Sequence, residues 1–365
     1  RKVNWKAMKA VILAGGEATR LRPLTCNTAK IMVPVLNHPF LEHFIAYLKK
    51  HNITEVILAL GQQITPIQSY FGDGNKFGVK ISYSEEDSPM GTAGAVKNVE
   101  RLLDSSFIVF NGDVFTYIDL TAMANSHREK RASVSMALTP VENPTIYGVV
   151  ETDNEGKVQR FVEKPSWDEV TTNMINAGIY IMEPSTLSYI TPNVFSMFER
   201  DVFPQLLKEG QAIYSYPSEA YWIDIGTPEK YLKLNHDLLH RYEGIKFEGE
   251  SIVHPSAQIE DPVIIAEGCF IDKGSIIRGP AAIGSRCQIE EGAIIESSVL
   301  WQNCKVGKGA KLRNCVVASN CCIKEESILD NCVLGDNVKI GKGNKLSQGI
   351  KIWPDKSIES NAISF

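Results

Sequence analysis

At 365 residues, with 44% hydrophobic and 22% charged residues, the chain is long enough for two domains with separate cores and has a globular composition. Its net charge of -5 argues against a general nucleic-acid binder, and no apolar run approaches the roughly 20 residues of a membrane-spanning helix. Residues 1–7 are basic but lack the apolar core of a secretory signal, so we expect a leader there and a cytoplasmic protein without nucleic-acid or membrane partners.

The first 130 residues alternate strand-like apolar runs with helix-length segments. Strands are predicted at residues 10–14, 55–60, 79–83 and 107–111, and helices at 41–51, 64–71, 93–103 and 119–130. This order predicts a mostly parallel sheet covered on both faces. Ligands bind beyond the carboxyl ends of such strands, so Gly15, Gly16 and Asp113 should share one rim.

Beyond residue 132 the pattern becomes rich in β-structure. Strands are predicted at residues 133–138, 147–151, 158–163 and 174–182, and we expect them to form an insertion across the open side of the substrate cleft. A strand at 220–225 and a helix at 228–240 follow. We interpret residues 8–241 as one α/β domain with a Rossmann-like mixed sheet.

A six-residue period governs residues 250–365. Aliphatic residues recur every six positions from Val253 to Ile295, after which the register shortens by one at intervals and the repeat continues to Ile352. These aliphatic residues form one file, and a second file of small residues lies two positions before each of them. Like residues would stack inside triangular coils, so the period predicts a left-handed parallel β-helix as a second domain.

The second file explains most of the cysteines. It contains six of the eight: Cys269, Cys287, Cys304, Cys315, Cys321 and Cys332. Free cysteine is commonly a small buried hydrophobic residue, and neither a CxxC pair nor nearby histidines support a zinc site. We therefore predict a structural role for these cysteines.

The stretch from residue 9 to residue 30 has the features of a phosphate-binding loop. Gly15 and Gly16 end the first strand, and Arg20 and Lys30 follow. Glycine allows a close backbone approach to a ligand, while Arg and Lys donate hydrogen bonds to phosphate oxygens. A tight turn with solvated basic residues is the alternative that these residues alone leave open.

Seven motifs, taken together and in order, resemble the sugar-phosphate nucleotidyltransferases. They are GGEATRLRPLT with Lys30, GTAGAV at 91–96, NGD at 111–113, YGVV at 147–150, FVEKP at 161–165, NAGIY at 176–180 and WIDIGTP at 222–228. The resemblance spans residues 8–365. It implies attack of a sugar 1-phosphate on the α-phosphorus of a nucleoside triphosphate, and within the family it is strongest to the branch that uses GTP and mannose 1-phosphate.

The resemblance also implies which residues act. Arg20 would hold the triphosphate and Lys30 would stabilise charge on the reacting phosphates, with Asp113 as the third catalytic residue. The implied nucleotide contacts are Leu13, Ala14, Gly15, Gly16, Glu86, Gly91 and Thr92. The implied sugar-phosphate contacts are Gly148, Glu163, Lys164 and Asn176, with an ordinary hairpin glycine as the alternative for Gly148.

Two carboxylates match the positions that hold Mg²⁺ in the family, Asp113 and Asp224. A hard cation takes oxygen ligands, and two carboxylates suffice when substrate and water supply the rest. The alternatives are that Asp113 belongs to an ordinary turn and that Asp224 caps the following helix.

Glu86 bears on the choice of base. Relatives that use uridine or thymidine triphosphate tend to carry glutamine at this position. A carboxylate can accept both donors of the guanine edge but would face the carbonyl groups of uracil or thymine unfavourably. The sequence therefore favours GTP, with an exposed acidic loop at residues 85–87 as the alternative.

The first motif departs from the family pattern at three positions. Ala18 stands where glycine is usual, Ile31 stands where proline usually follows the lysine, and Ala29 stands where another proline usually precedes it. If the loop requires a positive φ at Ala18, the cost is roughly 1–2 kcal/mol.

Other functions stay open at this point. The chain could be a catalytically silent regulatory homologue that binds nucleotide-sugar, or it could run the same reaction with UTP or dTTP and glucose 1-phosphate. An acyltransferase β-helix is disfavoured because His254 is the only histidine after His240. We expect the β-helix to mediate homo-oligomerisation through its flat faces and open end.

Overall fold

A computed structural model describes residues 8–61, 64–86 and 88–364. The expected leader at residues 1–7, Asp87 of the acidic loop and the terminal Phe365 lie outside the described residues. The described chain forms two compact units, one of residues 8–16 and 41–224 and one of residues 17–40 and 225–364. The limits that we predicted for the domains, 8–241 and 250–365, stay predictions.

Six α-helices lie within the described residues. They are α1 (Phe40–Lys50), α2 (Ile64–Phe71), α3 (Gly91–Asn98), α4 (Leu120–Glu129), α5 (Phe203–Lys208) and α6 (Pro228–Tyr242). All five predicted helices are present, although α3 ends early and a short 3₁₀ turn, Glu100–Leu102, follows it. None of these helices within the described residues is both long enough and apolar enough to cross a membrane.

The first unit contains eleven strands among its described residues. They are β1 (Lys9–Ala14), β4 (Glu55–Leu60), β5 (Lys80–Glu85), β6 (Phe107–Asn111), β7 (Val114–Thr116), β8 (Val134–Pro140), β9 (Gly148–Thr152), β10 (Val158–Glu163), β11 (Met174–Met182), β12 (Ile213–Pro217) and β13 (Trp222–Asp224). Between β1 and β4, the second unit has the short hairpin β2 (Pro34–Val35) and β3 (His38–Pro39). Nine of the eleven strands form one sheet with the path β10-β9-β11-β6-β1-β4-β5, in which β8 pairs with β11 and β12.

The parallel part of the sheet confirms the prediction from strand and helix alternation. Strands β5, β4, β1 and β6 are parallel neighbours. Their apolar side chains, such as Val11, Ile57 and Val109, are almost completely buried. Continuous apolar runs of this kind are typical of strands covered on both faces.

The expected insertion at residues 133–182 is wrong in its arrangement. Strands β8 to β11 continue the main sheet, because β11 pairs antiparallel with β6. The pairing of β11 with β8 shifts register between Asn176 and Tyr180, where Gly178 has a φ of 72°. The sheet is therefore mixed, as the predicted fold class states.

The β-helix consists of short parallel strands stacked into three sheets. One sheet contains β14 (Ile245–Phe247), β17 (Val263–Ile265), β20 (Ala281–Ile283), β23 (Val299–Leu300), β26 (Val316–Val317), β29 (Val333–Leu334) and β32 (Lys351–Ile352). The second contains β15 (Ile252–Val253), β18 (Phe270–Ile271), β21 (Gln288–Ile289), β24 (Lys305–Val306), β27 (Cys322–Ile323), β30 (Lys339–Ile340) and β33 (Ser357–Ile358). The third contains β16 (Gln258–Glu260), β19 (Ile276–Arg278), β22 (Ile294–Glu296), β25 (Lys311–Arg313), β28 (Ile328–Asp330) and β31 (Lys345–Leu346).

The two predicted files of side chains form the interior of this β-helix. Aliphatic residues from Ile265 to Ile352 pack into one buried cluster with the small residues of the second file. All six cysteines of that file are buried and free, which confirms their structural role. Five of the thiols donate to carbonyl groups of the adjoining coil, as Cys304 Sγ does to Ala318 O at 3.1 Å. Cys332 Sγ donates to Asp330 O of its own coil at 3.3 Å.

One corner of the β-helix carries a ladder of asparagines. Asn303, Asn320 and Asn337 have φ values of 59°, 62° and 60°, in the left-handed region that asparagine tolerates. Asn303 Nδ2 donates to Asn320 Oδ1 at 3.1 Å, and Asn320 Nδ2 donates to Asn337 Oδ1 at 3.0 Å. The residue type thus serves both the turn conformation and the contact between coils.

Candidate active site

The end of β1 and the NGD turn are in direct contact. The Gly112 amide donates to Leu13 O at 2.8 Å, and a Cβ at Gly112 would lie only 2.4 Å from that oxygen. Leu13 and Ala14 are half-buried, while Gly15 and Gly16 are exposed at the end of the strand. The structure therefore brings the glycine turn and the Asp113 segment to one rim, as expected for neighbouring parallel strands.

Glu86 lies against Gly15. A Cβ at Gly15 would be 3.2 Å from Glu86 Oε1 and 3.3 Å from the Gly61 amide, so the absence of a side chain permits this approach. Glu86 Oε2 accepts a hydrogen bond from the Met90 amide at 3.1 Å. Partial burial raises the pKa of Glu86, and the Met90 hydrogen bond opposes that rise. Glu86 is thus half-buried and positioned, although Asp87 of the proposed acidic loop is outside the described residues.

Helix α3 begins in close contact with the segment around Ser196. Gly91 has a φ of 74°, and a Cβ there would lie 2.4 Å from Ser196 O. That same oxygen accepts the amides of Ala93 and Gly94 at 3.0 and 3.1 Å. Only glycine fits this position, and the carbonyl satisfies two amides that a helix N-terminus otherwise leaves without partners.

Thr92 belongs to a hydrogen-bonded network that the sequence did not predict. Its hydroxyl accepts from the Phe198 amide at 2.9 Å and donates to Glu199 Oε2 at 3.3 Å. Tyr180 donates to Glu199 Oε1 at 3.2 Å and accepts from Asn176 Nδ2 at 2.7 Å. The network therefore connects Thr92, which the family resemblance implies as a nucleotide contact, with Asn176, which it implies as a sugar-phosphate contact.

Glu199 is the residue of this site that sequence reasoning missed. It lies in a short π-helical turn, Phe198–Val202, and burial raises the pKa of its carboxyl. The available signal was a charged run, Glu199 to Asp201, between Phe198 and Val202, which are both buried. Charged residues are mostly exposed, so such a run does not identify a site on its own.

The β9–β10 hairpin brings together three of the residues that the resemblance implies as sugar-phosphate contacts. Gly148 pairs with Glu163 in the antiparallel ladder, and a Cβ at Gly148 would lie 3.0 Å from Glu163 Oε2. Lys164 follows with a φ of 49°, an uncommon conformation for lysine, and its amide donates to Tyr147 O at 2.9 Å. Gly148 is therefore needed for close approach within the hairpin, and the Lys164 side chain is largely exposed.

Asp113 and Asp224 are brought together by a two-stranded ladder. Strands β7 and β13 pair antiparallel, and Asp224 lies directly opposite Val114. Asp113 immediately precedes Val114 in the sequence, so it lies next to the residue that pairs with Asp224. Asp224 is buried, and its Oδ1 accepts the Tyr147 hydroxyl at 2.7 Å. The helix-cap alternative for Asp224 is wrong, because the side chain of Thr227 caps α6 by accepting the Lys230 amide.

The residue types at this position fit a divalent cation. The carboxylates of Asp113 and Asp224 have hard anionic oxygens of the kind that such a cation takes as ligands. Asn111 Oδ1, two residues before Asp113 at the end of β6, is buried without a hydrogen-bond partner in the described part of the chain. The described residues contain no group of three or more His, Cys, Asp or Glu side chains able to hold a metal. A cation here would take its remaining ligands from substrate and water.

Arg20 and Lys30 lie in the second unit, each in a short 3₁₀ turn. Arg20 is in Thr19–Leu21 and is exposed, and Lys30 is in Lys30–Met32 and is half-buried. Ala18 precedes the first turn with φ 48° and ψ 41°, the left-handed conformation suspected from the sequence. Ile31, the second departure from the family pattern, is buried.

Comparison with known proteins identifies the class to which this fold and these motifs belong. The family model for nucleotidyl transferases matches residues 9–241, and the model for the EIF2B subunit epsilon LbH domain matches residues 244–346. The chain belongs to the nucleotidyl transferase family, which confirms the resemblance seen in its motifs. Members of this family typically use a divalent metal ion.

Three similar proteins extend this comparison. Mannose-1-phosphate guanylyltransferase of Mycobacterium tuberculosis is 37% identical over 280 residues, covering 74% of this chain and 76% of that protein. UTP--glucose-1-phosphate uridylyltransferase of Synechocystis is 33% identical over 332 residues, covering 84% of this chain and 86% of that protein. The crystal structure of HddC from Yersinia pseudotuberculosis complexed with GMP-PN has a TM-score of 0.56 and 30% identity, covering 63% of this chain and 99% of that one.

Proposed function

We propose that this protein transfers a guanylyl group from GTP to mannose 1-phosphate, giving GDP-mannose and pyrophosphate. The observation that carries the proposal is the position of Glu86 against Gly15, where a half-buried carboxylate flanks the glycine turn. A carboxylate there offers acceptors for both donors of the guanine edge. The similarity to a mannose-1-phosphate guanylyltransferase supports both substrates.

In the proposed reaction an oxygen of the sugar 1-phosphate attacks the α-phosphorus of GTP. The bond from that phosphorus to the bridging oxygen breaks, and pyrophosphate leaves. Arg20 binds the triphosphate and the departing pyrophosphate, and Lys30 stabilises the negative charge on the reacting phosphates. Such a displacement depends on positioning and charge stabilisation rather than on covalent chemistry by the protein.

Asp113 and Asp224 are the proposed ligands of Mg²⁺. The ion would neutralise phosphate charge when bound. The Tyr147 hydroxyl holds one oxygen of Asp224 and so fixes the orientation of that carboxylate. The backbone of β7 and β13 fixes the spacing of the two aspartates.

The nucleotide and the sugar phosphate would contact separate sets of residues. Leu13, Ala14, Gly15, Gly16, Gly91 and Thr92 complete the proposed nucleotide contacts around Glu86. Lys164 is the proposed partner of the sugar phosphate, and its exposed ammonium group supports that role. Glu163 and Asn176 offer acceptors and donors for sugar hydroxyls, and Gly148 allows the ring close to the backbone.

A second candidate is the same reaction with UTP or dTTP and glucose 1-phosphate. The similarity to a UTP--glucose-1-phosphate uridylyltransferase over 84% of this chain favours it. The carboxylate of Glu86 disfavours it, since uracil and thymine present carbonyl groups to that side chain. A catalytically silent homologue is the third candidate, and Ala18 is the feature that suggested it.

We also propose a cytoplasmic homo-oligomer that assembles through the β-helix. The eight cysteines are free, as is usual for cytosolic proteins. Exposed apolar side chains on the first coils of the β-helix, Ile252 and Phe270, support self-association.

The decisive experiment measures pyrophosphate release with Mg²⁺ while GTP, UTP, dTTP, ATP and CTP are each combined with mannose, glucose and other sugar 1-phosphates. We expect the highest kcat/KM with GTP and mannose 1-phosphate. Turnover with UTP or dTTP but not GTP would support the second candidate. Nucleotide-sugar binding without any pyrophosphate release would support the silent homologue.

A further inference from the structure

Residues 17–40, which we call the motif loop, are attached to the β-helix and to α6 within the second unit. Asn27 Nδ2 donates to Asp336 Oδ2 at 3.3 Å. The Tyr231 hydroxyl of α6 donates to Pro34 O, and Trp301 Nε1 of the β-helix donates to the Tyr231 hydroxyl oxygen at 3.0 Å. The β-helix thus contacts the motif loop directly at Asn27 and through one tyrosine at Pro34.

The attachment continues towards the end of the motif loop. The Leu36 amide donates to the buried Asn235 Oδ1 of α6 at 3.0 Å. Asn37 Nδ2 donates to Glu248 Oε2 at 3.2 Å, and the His38 ring lies 2.9 Å from Glu248 Oε1. Four points of contact therefore hold the stretch from residue 27 to residue 38.

Asp336 departs from the repeat at this contact. It occupies a corner position that Gly249, Glu267, Ser285, Gln302, Ser319 and Pro354 occupy in the other coils, according to the strand register. Asp336 is 8% exposed, whereas these six residues are all partly or fully exposed. Its Oδ1 accepts the Ser319 amide at 3.0 Å while Oδ2 accepts from Asn27. The carboxylate therefore joins two coils of the β-helix to the motif loop.

Trp301 departs from the repeat in the neighbouring column. Four of the equivalent positions hold small residues, namely Ala266, Gly284, Ala318 and Gly335. The other two members of the column are Glu248, which contacts Asn37 and His38 of the motif loop, and Trp353, which is 47% exposed. Trp301 is 3% exposed and bonds to Tyr231. Two irregular positions of an otherwise regular solenoid thus meet the same segment of chain.

Two of the four points of contact, those at Asn27 and Pro34, lie on either side of Lys30 in the sequence. Asn27 lies three residues before it and Pro34 four residues after it. Between them Ile31 and Val33 are buried, so this part of the loop has little freedom to move independently of its attachments. The position of the Lys30 backbone is therefore set by residues of the β-helix and α6 that lie far away in the sequence.

We propose that Asp336 and Trp301 are positioning residues for nucleotidyl transfer, through which the β-helix holds the motif loop, and with it Lys30, in its catalytic conformation. This inference rests on the proposed function, because it gives Lys30 the phosphate-binding role stated above. Displacing a catalytic group by about 1 Å can reduce the rate as much as a hundredfold, so attachment of the loop affects turnover. The β-helix is then part of the catalytic apparatus as well as a surface for assembly.

Two substitutions test the attachment with little risk to folding. Asp336→Ser introduces the residue that the repeat itself uses at this corner, at Ser285 and Ser319, and removes the acceptor for Asn27. Trp301→Phe keeps an aromatic ring, removes the donor to Tyr231 and leaves a small cavity where the larger indole was buried. Gln302→Ser and Trp353→Phe are the matched controls, since they make similar changes at exposed positions of the same two columns.

The readouts are steady-state kinetics with GTP and mannose 1-phosphate and hydrogen exchange of residues 17–40, both on the full chain. We expect each test variant to lower kcat about tenfold, with a smaller change in KM, and to speed exchange in residues 17–40. The controls should match the wild-type protein in both readouts.

Unchanged kcat and unchanged exchange in both test variants would overturn the proposal. A lower unfolding temperature with kcat retained would also overturn it, because the two residues would then stabilise the fold without positioning the loop. If the wild-type protein shows no turnover with any substrate pair, the proposed function fails, and exchange of residues 17–40 alone decides whether the β-helix holds the loop.

Discussion

The Tyr147 hydroxyl donates a hydrogen bond to Asp224 Oδ1 at 2.7 Å. The Tyr147 ring also meets the Trp222 ring edge-on at 5.6 Å, and Trp222 Nε1 donates to Ala177 O at 2.9 Å. These contacts fix both the strand that carries Asp224 and one oxygen of its carboxylate. A buried carboxylate held in this way has a defined orientation towards a cation.

Tyr147→Phe should therefore weaken the use of metal. The substitution keeps the ring but removes the donor to Asp224, and loss of such a partner typically lowers metal affinity or activity by about 10-fold or more. We expect the Mg²⁺ concentration for half-maximal pyrophosphate release to rise about tenfold.

The control is Tyr83→Phe, which removes a hydroxyl that donates to the backbone at Gly72 O. It should leave the metal requirement unchanged. An unchanged Mg²⁺ titration for Tyr147→Phe would show that this hydroxyl has no role in metal binding.

Glu86→Gln should change the preference for the base. Glutamine replaces one acceptor oxygen with a donor, so one donor of the guanine edge loses its partner while a carbonyl of uracil gains one. Loss of a recognised polar contact in a partly buried site costs about 1–3 kcal/mol, or roughly 5- to 150-fold in kcat/KM with GTP. The measurement compares kcat/KM for GTP and UTP, with the exposed Glu85→Gln as control.

The pH dependence of GTP use follows from the same carboxylate. Burial raises the pKa of Glu86, so it becomes protonated at a higher pH than an ordinary glutamate. We expect the KM for GTP to increase as the pH falls towards this raised pKa, and the increase should be absent in Glu86→Gln. An identical pH profile in the variant would remove Glu86 from base recognition.

Most of the fold was predictable because its patterns are local and repeated. Alternation of apolar runs predicted the parallel strands β1, β4, β5 and β6, and the six-residue period predicted the interior of the β-helix. The short elements α5 and β12 were not predicted. The insertion was predicted wrongly because strand pairing across β6 and β11 is not encoded in local patterns.

The candidate site was predictable to the extent that its residues lie in recognisable motifs. Glu199 lies outside them, and its hydrogen bonds to Thr92 and Tyr180 depend on segments about 20 to 110 residues away. The attachment of Asn27 to Asp336 spans 309 residues. Such contacts follow from tertiary packing, and no periodicity in the sequence identifies them.

Ala18→Gly should stabilise the protein. Ala18 has φ 48° and ψ 41°, its carbonyl accepts the Thr25 hydroxyl at 2.9 Å, and a left-handed conformation costs a residue with a Cβ about 1–2 kcal/mol. Glycine removes that strain but increases the entropy of the unfolded chain by about 0.5–1 kcal/mol. We expect a net gain of about 0.5–1 kcal/mol in the free energy of unfolding, measured by chemical denaturation.

Ala29→Gly is the matched control, because Ala29 has a φ of -58° and carries no such strain. Glycine there should destabilise the protein by about 0.5–1 kcal/mol. Destabilisation by Ala18→Gly as well would show that the strain at residue 18 is smaller than the entropy that glycine adds to the unfolded chain.

The buried imidazole of His127 should make the stability of the protein depend on pH. His127 is 2% exposed, its Nδ1 lies 2.8 Å from Ser135 Oγ, and its Nε2 lies 3.0 Å from Glu183 Oε1. Burial lowers the pKa of His127, although the Glu183 carboxylate opposes that shift. In the unfolded chain the imidazole has its ordinary pKa of about 6.5.

The sign of the effect follows from proton uptake. As the pH falls through about 6.5, the unfolded state binds a proton that the folded state still resists, so the free energy of unfolding decreases. Burial also lowers the pKa values of His51 and His236, which add to the same loss. We therefore expect denaturation midpoints to fall between pH 7.5 and pH 5.5, and to fall less steeply in His127→Gln.

The comparison that isolates His127 is with His254→Gln. His254 is exposed, so this control makes the same replacement where no imidazole is buried. Glutamine at residue 127 retains hydrogen-bonding groups for Ser135 and Glu183, which keeps the loss of stability at pH 7.5 small relative to the change in slope. Equal slopes for the wild-type protein and His127→Gln would mean that the buried imidazole accepts its proton as readily as an exposed one.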